Sequence, residues 1–474
     1  MTTIPVTVMG PSYQDRSPQL SSQYTQNVYL GQSRQGEATY ASYDWPGCKA
    51  FYAGAGADRG SFVFLNTLYK VSGDRLVSID ANGSLTDRGS IPGNGLCIFA
   101  ISFDSALDDY GLLIATEGIR YYYNQAAIVT ITDVDLTTGY SVAVMNDVVI
   151  FDNENGILTH TTYGQPTNVS SFFATTNTSP DGLQRVYVYG QVLLAFGTQD
   201  IEQWFYNGAT TEFIFTRQEQ ATIPIGLAAR YSVASDENYV IFLGSDKRFY
   251  RFRGASIEPI VTPGISNEIE SMAMISDAQA FTLKMAGQSF YVVTFPTENK
   301  TLYYSISLNY WGHLSFGTDA PQRHLANSYA LVYNKHYVGD YRNGNVYEWD
   351  FLTYTDNGAA RRRERIMSPI TGTQIGIPGR SITAGRLTLD MEVGSGLATG
   401  QGSDPMLMCS VSGDGGKTFS EETFVPIGIM GDYKAVVNYD KFTTGRSLVY
   451  KLACSDPVYL SIFAGSAEVS DGGY

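Results

Sequence analysis

The densest run of side chains able to do chemistry is Arg361-Arg362-Arg363-Glu364-Arg365. Guanidiniums are planar, permanently charged and carry forked donors, so a cluster of them suits carboxylates or phosphates. Exposed, such a run would dock on an acidic partner or on DNA phosphate. On a solvated face at a domain junction it would do nothing further. The expectation carried forward is a partner interface made of Arg361, Arg362, Arg363 and Arg365. Other chemical groups are dispersed. The histidines are His160, His313, His324 and His336, and the cysteines Cys48, Cys97, Cys409 and Cys454, with no Cys-x-x-Cys and no zinc spacing. The cysteines read as buried reduced thiols. The acid pairs Asp108-Asp109 and Glu421-Glu422 point apart if they lie on strands, so neither makes a glycosidase dyad. No activated nucleophile is visible. The reading is no enzyme, no cofactor and no metal.

Two further motifs are structural. Ser412-Gly413-Asp414-Gly415-Gly416-Lys417-Thr418-Phe419 fits the Asp-box, Ser-x-Asp-x-Gly-x-Thr-aromatic. Its Ser and Asp side chains tie a hairpin turn and its aromatic ring packs beneath. The residues assigned to it are Ser412, Asp414, Gly416, Thr418 and Phe419. The motif is known from sialidases, which carry several copies inside their blades together with a three-arginine carboxylate clamp. Here one copy stands outside the repeats. The run 54–60, GAGADRG, brushes the dinucleotide fingerprint, but its spacing is too long and a strand rather than a helix follows, so it reads as a loop.

The elements that must position these groups are hairpins. In 240–254, VIFLGSDKRFYRFRG, two β-prone runs flank a Gly/Asp turn. The same grammar recurs at 112–124, 148–160, 193–208, 290–305 and 338–351, with a divergent first copy at 64–80. A recurrence of roughly 40–50 residues is the spacing of four-stranded propeller blades. The fold class predicted is all-β, a β-propeller of about six blades followed by a C-terminal β-sandwich. Residues 1–48 read as an extended arm able to donate a strand to the last blade or to reach a neighbouring subunit. Residues 49–367 form the propeller. Residues 368–474 form the sandwich, with strands at 386–393, 405–411, 433–439, 448–454 and 458–465. The best helix candidate begins at Ile265.

Composition narrows the class. The chain has 474 residues, 43% of them hydrophobic, only 16% charged, with 34 Tyr and 48 Gly. That supports a real core and tight-turned β-structure, and excludes disorder. A net charge of −15 is not that of a protein gripping nucleic acid over its whole surface. No apolar run approaches the roughly 20 residues of a membrane span. The N-terminus lacks a basic region followed by an apolar one, which predicts synthesis in the cytoplasm without a signal peptide.

Taken together, the motifs resemble the tail hub, or packaged DNA stabilisation, proteins of lambdoid short-tailed phages. Gln26-Asn27-Val28-Tyr29 and Pro46-Gly47 match the family's opening pattern. Pro180-Asp181-Gly182, Phe196-Gly197, Glu202, Trp204 and Gly208-Ala209 match its centre. Gly287, Phe290-Tyr291, Thr294-Phe295-Pro296, Tyr310-Trp311 and Val338-Gly339-Asp340 continue the match. The C-terminal pattern is met by Glu392 through Gly396, Asp404-Pro405, the Asp-box, Gly431-Asp432-Tyr433 and Asp456-Pro457. Phe419 stands where Trp is usual, and 438–441 lacks the arginines common there. The resemblance implies a virion tail component made in the host cytoplasm. It implies six copies in a ring beneath the head-to-tail adaptor, holding the tail needle or plug and helping to dock tailspikes or fibres. DNA would pass its channel without sequence-specific binding. The alternative is a propeller-type glycan-binding protein or glycoside hydrolase, which would need clustered acids or an arginine clamp in one blade mouth.

Overall fold

The hairpin at 240–254 shows why these residues form blades. Val240–Leu243 and Phe249–Arg253 pair antiparallel, with Leu243 opposite Phe249. All four residues of the first strand are buried. A blade strand covered on both faces has no reason to alternate, so it reads as a continuous apolar run. The turn closes through Gly244 N–H donating to the Arg248 carbonyl at 2.7 Å, with Lys247 at positive φ. Other hairpins use tighter turns. Leu65-Asn66, Asn146-Asp147 and Tyr333-Asn334 each place two successive residues at positive φ, the geometry that matches strand twist in two-residue hairpins.

In the computed structural model, residues 1–473 are described apart from 11, 16, 19–20, 33–39, 135, 137, 154, 177–181, 210–211 and 255. Pro180 and Asp181 of the central motif therefore lie outside the described residues. Seven four-stranded blades surround one axis. Five come from consecutive strands between Asp58 and Pro259. The sixth is Gln279–Met285, Gln288–Phe295, Lys300–Ser305 and Tyr310–Leu314. The seventh is Ala326–Val332, Lys335–Asp340 and Val346–Asp350, completed by Gly47–Tyr52 from the start of the chain. The expected number, about six, is corrected to seven. The last blade is split between two stretches nearly 300 residues apart, so the repeat spacing understates the count. The inner strands of the seventh and first blades meet, with Ser61 Oγ 2.7 Å from Ser328 Oγ. This closes the ring with an outer strand taken from the opposite terminus.

The described parts of residues 1–48 are not a free arm. Thr2–Pro5 pairs with Ile462–Asp471. Ser22–Gln26 lies between the last strand of blade six, touched at Gln26–His313, and Arg363–Ile366. Val28–Gln32 and Tyr40–Asp44 form a hairpin against the body. The described strands of the arm thus pair within their own chain, with Thr2–Pro5 as the outer strand of its sheet.

Beyond the propeller, Arg363–Ile366 pairs with Ser447–Cys454, which pairs with Met406–Ser412 and then Thr423–Pro426. These strands continue the sheet of blade six. A second sheet runs Thr2–Pro5, Ile462–Asp471, Ile382–Met391, Val437–Gly445 in spatial order. Leu407, Cys409 and Tyr450 from the first sheet share one core with Leu387, Leu389, Tyr439 and Val469 from the second. The same core extends to Trp45 of the arm and to Trp349, Phe290 and Tyr303 of the propeller. Trp45, fully buried, packs its ring 4.9 Å from Tyr303 and 5.6 Å from Trp349. Residue 367 is therefore no boundary between separate cores.

Two C-terminal strands begin later than the sequence suggests. The expected strand at 433–439 is found at Val437–Gly445, because Gly431 at positive φ and the Asp432 N–H to Ile429 carbonyl bond make 429–433 a turn. The strand expected at 458–465 is Ile462–Asp471, after a turn closed by Val458 N–H on the Asp456 carbonyl. The helix is Pro263–Glu270, starting two residues before the expected Ile265 and capped by the Thr262 hydroxyl. No helix among the described residues is long and apolar enough to cross a membrane.

Candidate functional sites at the junction and the propeller axis

The arginine cluster lies inside the molecule. Arg361, Arg363 and Arg365 are 1%, 1% and 2% exposed. The three are spaced two residues apart, so strand alternation turns all of them inward, while Arg362 and Glu364 between them lie on the half-buried face. Arg361 donates to the carbonyls of Trp45 and Pro46 and lies 3.6 Å from Asp356. Arg363 binds both carboxylate oxygens of Asp44 at 3.0 Å and the carbonyls of Val458 and Asp456. Arg365 donates to the Val8 carbonyl, Thr25 Oγ1 and Gln23 Oε1, and burial pushes its pKa down to about 9. Arg362 is half-buried and pairs with Glu364 and Glu422. The docking surface expected here is thus an internal clasp. The carbonyls of Val458 and Val8 that it binds lie 95 and 357 residues away, which is why it looks like a free patch in the sequence.

The Asp-box is built as the motif requires. Ser412 Oγ donates to Asp414 Oδ1 at 2.6 Å and accepts from Gly416 N–H at 2.8 Å. Asp414 Oδ1 accepts from Lys417 and Thr418 N–H, and Oδ2 from the Thr418 hydroxyl at 2.7 Å. These donors hold the Asp414 carboxyl far below its ordinary pKa. Gly416 sits at φ +92°, which a side chain would resist. Lys451 Nζ stands 5.1 Å from the centre of the Phe419 ring. The motif braces a turn and presents no reactive group.

Folding also gathers three groups the sequence left apart. Ligand atoms of Cys48, His324 and Asp356, all buried, lie within 4.8 Å of one another. The bonds around them do not suit a metal. His324 Nδ1 accepts from Ala326 N–H at 3.1 Å, which puts the ring proton on Nε2, the nitrogen a metal would need bare. Asp356 is already beside the Arg361 guanidinium, and burial pushes the Cys48 thiol well up. The trio fastens the closing strand, since Cys48 N–H bonds the Thr355 carbonyl and Asn357 N–H bonds the Cys48 carbonyl. All four cysteines are free thiols.

A cavity of about 410 Å³ lies between blade six, the helix and the second body. Glu268 on the helix bonds Lys300 Nζ and His313 Nε2, both at 3.0 Å, and these partners hold its pKa down at about 2 against the pull of burial. Tyr24 lies 4.4 Å from the His313 ring, and burial with the Glu364 and Glu268 carboxylates holds its phenol protonated.

The propeller axis is closed. Tyr231, in the segment before the fifth blade, passes its N–H and carbonyl side beside Gln279 of the sixth, its carbonyl accepting from Ala280 N–H at 2.9 Å. Its hydroxyl reaches across to the Leu96 carbonyl ahead of the second blade, at 3.3 Å. The space left is about 200 Å³. A DNA duplex cannot enter it. Gly54–Ala55 is a loop and Asp58–Phe64 a strand, so the glycine-rich run opens the first blade rather than a cofactor site.

Among solved structures, the chain is similar to the extracellular domain of the hybrid two-component system BT4673 from B. thetaiotaomicron, at 12% identity and a TM-score of 0.44, covering 74% of this chain and 44% of that one. The chain thus spans less than half the length of that protein. It is also similar to the Neurospora crassa Pan2 WD40 domain, at 7% identity and a TM-score of 0.41 over 65% of this chain and 96% of that one. Streptogramin B lyase gives 9% identity and a TM-score of 0.42 over 68% and 97%. Likenesses this faint carry no argument about function. No curated protein matches the chain. One family profile does, over residues 2–354: that of bacteriophage P22 Gp10, beta-propeller. That span takes in all seven blades and the strand that closes them. The chain belongs to the bacteriophage P22 Gp10 β-propeller family and is a phage structural protein.

Proposed function

We propose that the chain is the tail hub, or nozzle, of a short-tailed phage: six copies in a ring below the head-to-tail adaptor. The ring retains packaged DNA, holds the tail needle or plug, helps dock tailspikes or fibres and forms part of the ejection channel. The observation that carries this reading is the closed axis within a chain of this family. Tyr231 bars the only hole a propeller offers, so any path for DNA runs between copies.

A ring needs two unlike patches, one meeting the other on the next copy. The arginine cluster, being internal, is unavailable for this. Among the exposed apolar side chains of the described residues, two sets stand far apart. On the second body, Phe424, Ile429, Met430, Tyr433, Val436 and Phe442 face solvent, Tyr433 at 76%. The loop carrying Ile429, Met430 and Tyr433 is held in place by Gly431 N–H on the Gly394 carbonyl and Asp432 N–H on the Ile429 carbonyl, while Phe424 and Phe442 stand on flanking strands. On blade three, Tyr163, Phe172 and Phe173 face solvent, Phe173 at 61%. Blade three is far around the ring from blade six, where the second body attaches. Rigidly presented apolar groups of this number mark interaction sites.

The two C-terminal sheets and their shared core are read as the sandwich expected from the sequence, grafted onto blade six rather than tethered to it. We also propose that the chain is not an enzyme. The reading is tested by making Ile429→Asp with Tyr433→Asp. The variant should stay folded and monomeric in light scattering, and tails assembled with it should lack the hub. Normal hexameric tails from this variant would rule out this interface.

A further inference from the structure

The axial cavity of about 200 Å³ has a chemistry that the tail reading leaves unused. Its lining includes Arg59, Arg185, Ser61, Ser328 and Gln279, and no carboxylate among the described residues. This is unexpected in a chain of net charge −15. Arg59 is spent on its own walls, donating to the carbonyls of Gly73, Ile91 and Gly95 and to Thr116 Oγ1. Arg185 is not. Its Nη1 is pinned to the carbonyls of Arg230 at 2.8 Å and Val233 at 3.3 Å, while Nε is buried with no partner. No acid forms an ion pair with it among the described residues. The nearby acids are committed elsewhere. Asp152 lies 3.6 Å from Arg120, and Asp58 lies 3.1 Å from Lys70, both pairs buried. Burial pushes the Arg185 pKa down, the direction expected of a cation short of a counter-charge.

We propose that the propeller axis binds a small oxyanion, of the phosphate, sulfate or carboxylate class, with Arg185 as its charge partner. The neutral donors are the one hydroxyl hydrogen not used between Ser61 and Ser328 and the second N–H of the Gln279 amide, whose first donates to Asn327. The volume is below that of pockets for drug-sized ligands, so the site takes a small ion with its residual water. Bound there, the ion links the inner strands of blades one, four, six and seven and stabilises the ring at its centre.

The test uses the full chain, with thermal unfolding and calorimetric titration against inorganic phosphate, sulfate, acetate and chloride at matched ionic strength. Saturable stabilisation by phosphate or by acetate beyond that of chloride is expected, and which of the two acts identifies the source. Ser61→Asp puts a carboxylate into the cavity and leaves every Arg185 bond in place; it should raise the half-saturating concentration about tenfold or more. Arg185→Lys, which keeps the charge but loses the fork, should weaken binding while near-ultraviolet circular dichroism stays native. Stabilisation no greater than that of chloride, or equal in wild type and Ser61→Asp, overturns the proposal.

Discussion

Nη1 of Arg363 lies 3.0 Å from each carboxylate oxygen of Asp44, a residue 319 positions away. Asp44 Oδ2 also accepts the Leu460 N–H at 2.9 Å. One buried carboxylate thus joins the end of the arm, the strand leaving the propeller and the turn before the last strand. Removing one member of a buried pair leaves the other charge uncompensated, at about 3–5 kcal/mol. Asp44→Ala should lose about that much in urea unfolding. Arg363→Glu, which sets two carboxylates together, should fail to accumulate as folded protein. A folded, normally stable Arg363→Glu chain would mean that the clasp is not formed in solution.

Glu268 gives a pH signature. Its folded pKa of about 2 lies below the ordinary value of 4.5, so its stabilisation is complete above pH 4.5 and is lost as pH falls toward 2. The size is of order 3 kcal/mol, from roughly 1.4 kcal/mol per pKa unit. In denaturant titrations, wild type should exceed Glu268→Gln at pH 6 and converge with it near pH 2. A constant gap from pH 6 to 2 would show that Glu268 is not held by Lys300 and His313.

The Cys48–His324–Asp356 trio should carry no metal. Elemental analysis of protein purified without chelator should find far less than one zinc per chain, and added cobalt should give no thiolate charge-transfer band. Stoichiometric zinc would mean that the His324 ring is turned over and the Ala326 bond absent.

Asp414→Ala removes the acceptor for four hydrogen bonds in the Asp-box turn. Typical net values of about 1 kcal/mol per bond, less for exposed ones, predict a loss of about 1–3 kcal/mol. The loss should appear as local hydrogen exchange at 412–419. Exchange unchanged there would mean that the turn is set by Gly415 and Gly416 alone.

What the sequence conveyed was local. The hairpin at 240–254, a short helix around Ile265 and the Asp-box are each written within about a dozen residues, by turn chemistry and apolar runs, and each is found, the helix starting two residues early. What it withheld depends on distant pairing. The seventh blade could not be counted from repeat spacing, because Gly47–Tyr52 completes it beside Val346–Asp350. The arginines looked like a surface patch because their acceptors, at Val8, Asp44, Trp45 and Val458, have no local signature. Tyr231 carries no mark of closing an axis, since Leu96 is its partner only after the ring has formed.

An electron cryo-microscopy map of the assembled phage tail would show whether the chain forms the hub. Six copies of this chain are expected around the tail axis, head to tail, with the DNA path between copies and each propeller axis blocked at Tyr231. A particle without this chain, a number of copies other than six, or nucleic acid density running through a propeller would contradict it.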